Sequence, residues 1–503
     1  MTTTGDVTGS ETGKRTLGEL GIGSSPQPAD LPISALSANS RTVTEGGLFA
    51  ALPGTHHHGA DFAAEAIARG AAVILTDHRG QAIIQSRHQV TDPRIIAVDN
   101  PRAALAIAAA RWFGRPPEII TAVTGTNGKT SVASICQQIW QSQGHAACSF
   151  GTLGICGAWS GRLHHTTPDP VTLHARLAEA ALHGVTHVAM EASSHGLSQR
   201  RLDGVPLSAA AFTNLTHDHL DYHGDFASYL TAKAGLFTRI LPPDGIAVVC
   251  TGGDRGREIE EIVRTRGQQL ISVGGKDSDL TLLSQTLHRN GQRIRFAYLQ
   301  EKYEINLPLM GDFQAWNALT AAGLAIATGE EPGHVFAALS EIAPVRGRLQ
   351  LAAIRENGAA VFVDYAHTPD GLRASLESLR RHYSGRLLVL FGAGGDRDRH
   401  KRPLMGQVAC RHADQAIVTD DNPRCENPAE IRSAILQGCP DSLEVPDRAE
   451  AIVRAVALLE AGDVLLVAGK GHETGQEINE MILPFDDFEQ ASIAVRALEG
   501  EGV

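Results

Sequence analysis

The chain has 503 residues, 44 Lys and Arg against 56 Asp and Glu, and a formal net charge of −12. That length exceeds one hydrophobic core and points to about three domains, while the acidic balance argues against general binding to nucleic acid or anionic membrane. With 43% apolar and 20% charged residues it has the composition of a soluble globular protein, and no apolar run approaches the roughly 20 residues of a membrane span.

Residues 1–30 are polar and rich in Gly, Ser and Thr, which reads as a flexible N-terminal extension and not as a signal peptide. Residues 31–115 alternate short apolar and helical stretches: a helix over Ala64–Arg69, strands at Ala71–Leu75 and Ile95–Val98, and an Ala-rich helix over Pro101–Phe113. Gly114-Arg115-Pro116-Pro117 marks a domain boundary. Ser37-Ala38-Asn39-Ser40-Arg41 reads as a loop, as does His56-His57-His58, because three adjacent side chains cannot all face one ion. The seven cysteines (136, 148, 156, 250, 410, 425, 439) are scattered and include no C-x-x-C pair, which fits reduced thiols of a cytoplasmic protein.

Residues 116–344 form the second predicted domain, organised around Thr124-Gly125-Thr126-Asn127-Gly128-Lys129-Thr130-Ser131. The apolar run Ile119–Val123 predicts a buried parallel strand, the glycines break it, and Ser131–Gln141 continues as a helix. Strand, Gly-rich turn and helix build a phosphate cradle. Backbone N–H groups and the helix N-terminus face the anion, Lys129 adds charge and Thr130 can ligate Mg²⁺. The usual spacing wants a glycine at Val123, so the match is to the shorter G-x-x-G-K-T core, and ATP or GTP is the expected ligand.

A strand over Thr186–Met190 ends in Glu191, where a carboxylate can reach a metal beside that loop, and one over Leu207–Leu215 leads into His217-Asp218-His219-Leu220-Asp221-Tyr222-His223. Zinc is the competing reading for that His/Asp cluster, with no Cys or spaced His pair elsewhere to complete it. Phe226–Phe237 reads as a helix carrying Lys233, and Asn317 precedes a helix over Ala318–Thr328.

Residues 345–503 read as a third α/β domain, with strands at Ala360–Val363, Leu387–Phe391, Gln415–Thr419 and Val464–Ala468. Three strand ends carry polar chemistry: Gly394-Gly395-Asp396-Arg397, Asp420-Asp421-Asn422-Pro423-Arg424 and Gly469-Lys470-Gly471-His472-Glu473. A dinucleotide fingerprint needs a glycine at Arg397, so an NAD site is excluded there.

The series Thr124–Thr130, Glu191-Ala192-Ser193-Ser194-His195, Asn214 with Asp218-His219, and Asn317 resembles the Mur ligases, ATP-dependent amino-acid ligases of peptidoglycan precursor synthesis. The resemblance runs from about Leu31 to Glu489, with the motifs in family order. It implies an α/β protein of three domains: a UDP-binding N-terminal domain, a central P-loop ATPase domain on a parallel sheet, and a Rossmann-like C-terminal domain that binds the amino acid. Thr166-Thr167-Pro168 and Asp421-Asn422-Pro423-Arg424 are similar to the members that add meso-diaminopimelate to UDP-MurNAc-L-Ala-D-Glu. That implies a cytoplasmic monomer forming ADP and phosphate.

Amide synthesis from a carboxylate needs activation, here as an acyl phosphate, and the crowded anionic oxygens need Mg²⁺ and cationic side chains. Lys129 and Thr130 serve the phosphates and one metal, with Glu191 and His219 as further ligands. The resemblance implies that Lys233 is carbamylated, which turns a cation into a carboxylate-like metal ligand. It assigns ATP to residues 125–131 (Gly125, Thr126, Asn127, Gly128, Lys129, Thr130, Ser131) with Asn317, Arg348 and Asp364. It assigns the UDP-muramoyl dipeptide to Ser40, Thr166, Thr167, Ser193, Gln199 and Arg201. Diaminopimelate falls to Arg397, Asp421, Asn422, Pro423, Arg424, Gly469 and Glu473, with Arg424 matching the distal carboxylate that lysine lacks. Asn39 stands where the family often has Asp, and Gln350 where it often has Glu.

Three rival readings share part of this pattern: the same scaffold adding L-lysine, a ligase like folylpolyglutamate synthase, and a P-loop regulatory protein that switches on ATP. Arg424 disfavours the first, the domain ahead of the P-loop the second, and the polar strand ends of the third domain the last.

Overall fold

The computed structural model describes residues 14–22, 29–54, 57–88, 95–216, 218, 220–253 and 255–500. Three larger sheets follow one another along the chain, and the described residues add two two-stranded ones, Arg15–Thr16 with Pro32–Ile33 and Gly475–Ile478 with Met481–Pro484. The first is parallel and four-stranded (Leu36–Ser37, Leu48–Ala50, Val73–Thr76, Ile95–Ala97), with the helix Pro101–Phe113 packed on it. Asn100 caps that helix by accepting from Ala103 N, and Pro101 at its first position costs no hydrogen bond.

The second sheet has ten strands. Its parallel centre runs in the order Gln269–Gly274, Ile246–Cys250, Ala209–Phe212, Ile119–Thr124, His187–Glu191, Ala147–Gly151. Alternate residues of Ile119–Thr124 enter cores on the two faces, Val123 on one side and Ile120 and Ala122 on the other. Both faces are therefore covered, and the strand reads as a continuous apolar run. The helix Lys129–Ser142 packs beside Phe313–Ala327 on one face.

The third sheet orders Gln350–Ile354, Ala360–Asp364, Val464–Ala468, Leu387–Phe391, Gln415–Val418, Leu443–Glu444, all parallel except the first. Among the described residues no helix is long and apolar enough to cross a membrane.

Several expectations need correction. Part of the predicted extension is folded: Arg15–Thr16 pairs with Pro32–Ile33, and Leu17, Leu20 and Ile22 are buried beneath the first sheet. Those three apolar side chains are spaced too irregularly to announce a strand or helix. Residues 1–13 and 23–28 lie outside the described set. The central sheet is not purely parallel. The unpredicted strands Leu280–His288, Gly291–Tyr298 and Glu301–Leu307 add an antiparallel meander, with Ile294 and Phe296 inward and Arg293 and Arg295 outward.

The helix bearing Asn317 starts at Phe313, five residues before the expected Ala318, because Asp312 N and its carboxylate are held by Ser378 of the third domain. His58 is buried rather than solvated: Nδ1 accepts from Ala60 N, and Nε2 lies 3.1 Å from Asp77.

Candidate active site

The strand Ile119–Thr124 delivers the P-loop to the carboxyl edge of the central sheet, and Gly128 caps the following helix at φ 90°. Gly125 (φ 150°) and Gly128 both sit where a side chain is barred. A Cβ on the first would meet the Thr213 hydroxyl and one on the second the Asn317 amide oxygen. The loop is braced from the adjacent strand end, where Thr126 N donates to Asn214 O (2.8 Å), Asn127 N to Asn214 Oδ1 (3.0 Å), and the Thr213 hydroxyl to Asn127 O (2.6 Å).

Beside it lies a cavity of about 550 Å³ between the second and third domains, a size suited to a nucleotide. Thr126, Asn127, Gly128, Lys129, Thr130 and Ser131 line one wall; Glu191, Asn317, Arg348 and Asp364 line others. Two amines converge at the loop, with Lys129 Nζ donating to Gly125 O (3.0 Å) and Thr126 O (2.9 Å), and Lys233 Nζ to the same Gly125 O (2.7 Å). Lys233 is 1% exposed, and burial first, then the Lys129 charge, push its pKa well below the ordinary lysine value. Burial also lowers Lys129. Both shifts favour the neutral amine, the form of a lysine that can attack CO₂.

Glu191, 2% exposed, accepts from Thr152 N on one carboxylate oxygen (2.8 Å) and from the Thr152 hydroxyl on the other (3.1 Å), which leaves lone pairs on both. With the Thr130 hydroxyl it offers the hard oxygen donors that Mg²⁺ prefers. His219, the remaining predicted ligand, lies outside the described residues.

Arg348 spans the two domains: Nη2 donates to Thr130 Oγ1 (2.9 Å), its guanidinium lies 4.8 Å from the Tyr365 ring centre, and its buried Nε has no hydrogen-bond partner among the described residues. A buried unpaired donor at a cavity wall is suited to an anionic oxygen. Asp364 lines the same cavity, but both its oxygens already hold the local turn, accepting from Leu349 N (2.6 Å), Ala366 N (2.9 Å) and the Ser375 hydroxyl (3.1 Å). Burial raises its pKa. Asn317 donates to Gln314 Oε1 (2.9 Å).

Of the residues assigned to the muramoyl dipeptide, Thr166 and Ser193 line the cavity. Thr167 is buried beneath it, its hydroxyl donating to Glu191 O (2.8 Å) and accepting from Ser193 N (3.0 Å), so it ties the loop before the helix Pro170–Leu182 to the end of the strand His187–Glu191. Arg201 donates to Thr167 O (2.6 Å) and Gln199 Oε1 (2.8 Å). Ser40 is not brought to this cavity; it is buried in the first domain with its hydroxyl on Glu65 (2.7 Å). The two departures from the family pattern serve local structure: Asn39 Oδ1 accepts from Arg41 N, and Gln350 Oε1 from Gly347 N.

The three motif-bearing strand ends of the third domain meet at a second locus. Asn422 Nδ2 donates to Glu473 Oε2 (2.8 Å), and buried Lys470 donates to Asn422 Oδ1 (2.9 Å), Glu473 Oε2 (3.1 Å) and Gly475 O (2.6 Å). Gly469 (φ 115°) passes against the Asp421 carboxylate, where a Cβ would clash. Pro423 is buried and Arg397 is exposed. Arg424 takes a left-handed backbone (φ 52°), and its guanidinium donates through Nε to Glu477 Oε2 (2.9 Å) and through Nη1 to Gly395 O (2.7 Å). The expected carboxylate reader is thus half engaged by a residue the sequence had not singled out.

Thr152, Thr213 and Glu477 stand in none of the motifs that the sequence offers, and Lys470 stands in one without a role assigned to it. Thr152, Thr213 and Glu477 act through partners from distant chain segments and carry no short-range signal.

The family follows from here. The description "Mur ligase family, catalytic domain" matches residues 32–113, "Mur ligase middle domain" residues 123–325, and "Mur ligase, glutamate ligase domain" residues 347–471. The chain belongs to the Mur ligase family. Among its relatives, UDP-N-acetylmuramoyl-L-alanyl-D-glutamate–2,6-diaminopimelate ligase of Chelativorans sp. is 48% identical, over 92% of this chain and 95% of that one. The enzyme of the same name from Bradyrhizobium diazoefficiens is 46% identical, over 93% and 96%. A solved structure of a ligase with that name superimposes with a TM-score of 0.69 at 31% identity, covering 97% of this chain and 99% of the other.

Proposed function

We propose that this chain joins meso-diaminopimelate to the D-Glu carboxylate of UDP-MurNAc-L-Ala-D-Glu, converting ATP to ADP and phosphate. The observation that carries the reading is the convergence of Lys129 and Arg348 with Glu191 and Thr130 at one interdomain cavity, with Lys233 buried behind it on the Gly125 carbonyl that Lys129 shares. Relatives near half identity over almost the whole chain bear the name of this reaction.

A carboxylate oxygen of D-Glu attacks the γ-phosphorus of ATP, the bond from that phosphorus to the β,γ-bridging oxygen breaks, and ADP leaves the acyl phosphate behind. The neutral amine of diaminopimelate then attacks the acyl carbon, the carbon–oxygen bond breaks, and phosphate departs as the nitrogen loses its proton. Lys129 and the unpaired Nε of Arg348 offset the charge that accumulates on the transferred phosphoryl group. Arg348 also reports domain closure, because its reach from the third domain to Thr130 exists only when the two domains meet.

Mg²⁺ would be held by the Thr130 hydroxyl and Glu191, with His219 and a carbamylated Lys233 as the further ligands that the family resemblance implies. When bound, it neutralises phosphate oxygens. In the third domain, Glu473 and Asn422 hold the amino-acid end of diaminopimelate, and Arg424 turns its remaining edge to the distal carboxylate. The chain works as a monomer in the cytoplasm, with its seven cysteines as free thiols.

Phosphate release from ATP with UDP-MurNAc-L-Ala-D-Glu, comparing diaminopimelate, L-lysine and no amino acid, tests the reading. Turnover with diaminopimelate alone supports it. Equal turnover with lysine removes the role given to Arg424, and no turnover with either amine rejects the ligase assignment.

A further inference from the structure

The central sheet carries a second cluster of ligand-type side chains at its opposite edge. His187 opens the strand whose last residue, Glu191, reaches the nucleotide cavity, so the two ends are roughly 13 Å apart at the usual rise per residue. His145 follows the helix Lys129–Ser142, and Glu330 follows the helix Phe313–Ala327. One ligand atom from each of His145, His187 and Glu330 lies within 4.8 Å of the others. The His145 and His187 rings are 4.1 Å apart and tilted by 33°, and His145 Nε2 is 2.8 Å from Glu330 Oε1.

An ordinary surface ion pair would explain His145 and Glu330 but not the third member. His187 is 7% exposed, and its Nδ1 lies 2.8 Å from the Thr186 hydroxyl. That contact fixes the ring's orientation in the way outer partners orient metal-binding imidazoles. The backbone around the cluster is also anchored: His145 N donates to Trp140 O (3.0 Å), Glu330 N to Ala325 O (3.1 Å), and His187 N to Ala146 O (3.3 Å). Two helices end beside it, and the carbonyl ends of helices favour a cation.

We propose that His145, His187 and Glu330 form a Zn²⁺ site, with water as the fourth ligand, that clamps the P-loop helix and its neighbour to the sheet. Two imidazoles and one carboxylate select Zn²⁺ over Mg²⁺, and ligand bonds of about 2.0–2.1 Å to a tetrahedral ion place ligand atoms roughly 3.3 Å apart, between the 2.8 Å of His145 and Glu330 and the 4.8 Å limit of the cluster. The site stands apart from the nucleotide chemistry and does not depend on the function proposed above.

The test uses the full chain, stripped with chelator and held in excess Mg²⁺ to occupy oxygen-rich sites. It is titrated with CoCl₂ as a spectroscopic probe and with ZnCl₂. Wild type should give a saturable visible Co²⁺ band displaced by one equivalent of Zn²⁺, and Zn²⁺ should raise its thermal midpoint. His145→Gln and Glu330→Gln, both at partly exposed positions, should fold, weaken Zn²⁺ binding at least tenfold, and lose the band and the thermal shift. Absence of the band in wild type, or its persistence in both variants, overturns the proposal.

Discussion

Arg348→Ala is the most informative single substitution at the nucleotide cavity. The guanidinium makes one charged hydrogen bond to the Thr130 hydroxyl at 2.9 Å, lies 4.8 Å from the Tyr365 ring centre, and keeps a buried Nε unpaired. Hydrogen bonds to charged groups contribute about 1.5–3 kcal/mol each, and a partly desolvated cation–π contact about 0.5–2 kcal/mol. Part of that is lost equally from the free enzyme, so the expected loss in transition-state stabilisation is about 2–4 kcal/mol, roughly 30- to 900-fold in kcat/KM for ATP. Arg348→Lys keeps the charge but not the planar fork, and should recover only part of the loss. The assay is ADP formation at varied ATP with both other substrates saturating, alongside circular dichroism to establish that each variant is folded. A folded Arg348→Ala protein within threefold of wild type in kcat/KM refutes the role of this residue.

Four further outcomes follow from the same geometry. Protein equilibrated with ¹³C-bicarbonate should show a carbamate carbon resonance in wild type that is absent in Lys233→Met, since burial holds that amine well below its ordinary pKa; identical spectra would dismiss carbamylation. Glu477→Gln removes the carboxylate charge that holds Arg424 at 2.9 Å, and should lower KM for diaminopimelate by about tenfold while leaving KM for ATP in place. Unchanged diaminopimelate KM would show that Glu477 does not govern the pocket.

Arg448→Ala strands Asp487, fully buried with it, and should cost about 3–5 kcal/mol of stability, read as a lowered denaturant midpoint. His174 is buried against Asp203 O (3.3 Å), and its pKa falls from 6.5 to about 4, so the unfolded state binds the extra proton between those values. Stability should therefore be unaffected by this group above pH 6.5, fall as pH drops through the window, and level off below about pH 4, by about 3 kcal/mol in all. His174→Gln should flatten that segment of the stability–pH curve.

Much of this protein is legible locally. Apolar runs predicted the strands Leu387–Phe391 and Val464–Ala468 to the residue, and Pro101–Phe113 declared its helix through an alanine-rich run. The P-loop was visible for the same reason: strand, turn and helix are contiguous, so one stretch of chain builds most of the phosphate cradle. Family motifs then carried residues such as Asn317 and Arg348, which no local pattern would have marked.

Tertiary structure decided what depends on contacts between distant segments. Thr213 and Asn214 brace a P-loop that lies 86–87 residues earlier, and Arg348 meets Thr130 across 218 residues. Leu17, Leu20 and Ile22 are core residues only because a sheet formed elsewhere covers them. Glu477 reaches Arg424 because a short strand returns alongside it, and His145, His187 and Glu330 gather from two helix ends and a strand start. Propensity and hydrophobic period act over a few residues, so they specify elements; which polar side chains meet is set by how the elements pack, and composition and spacing carry no record of that.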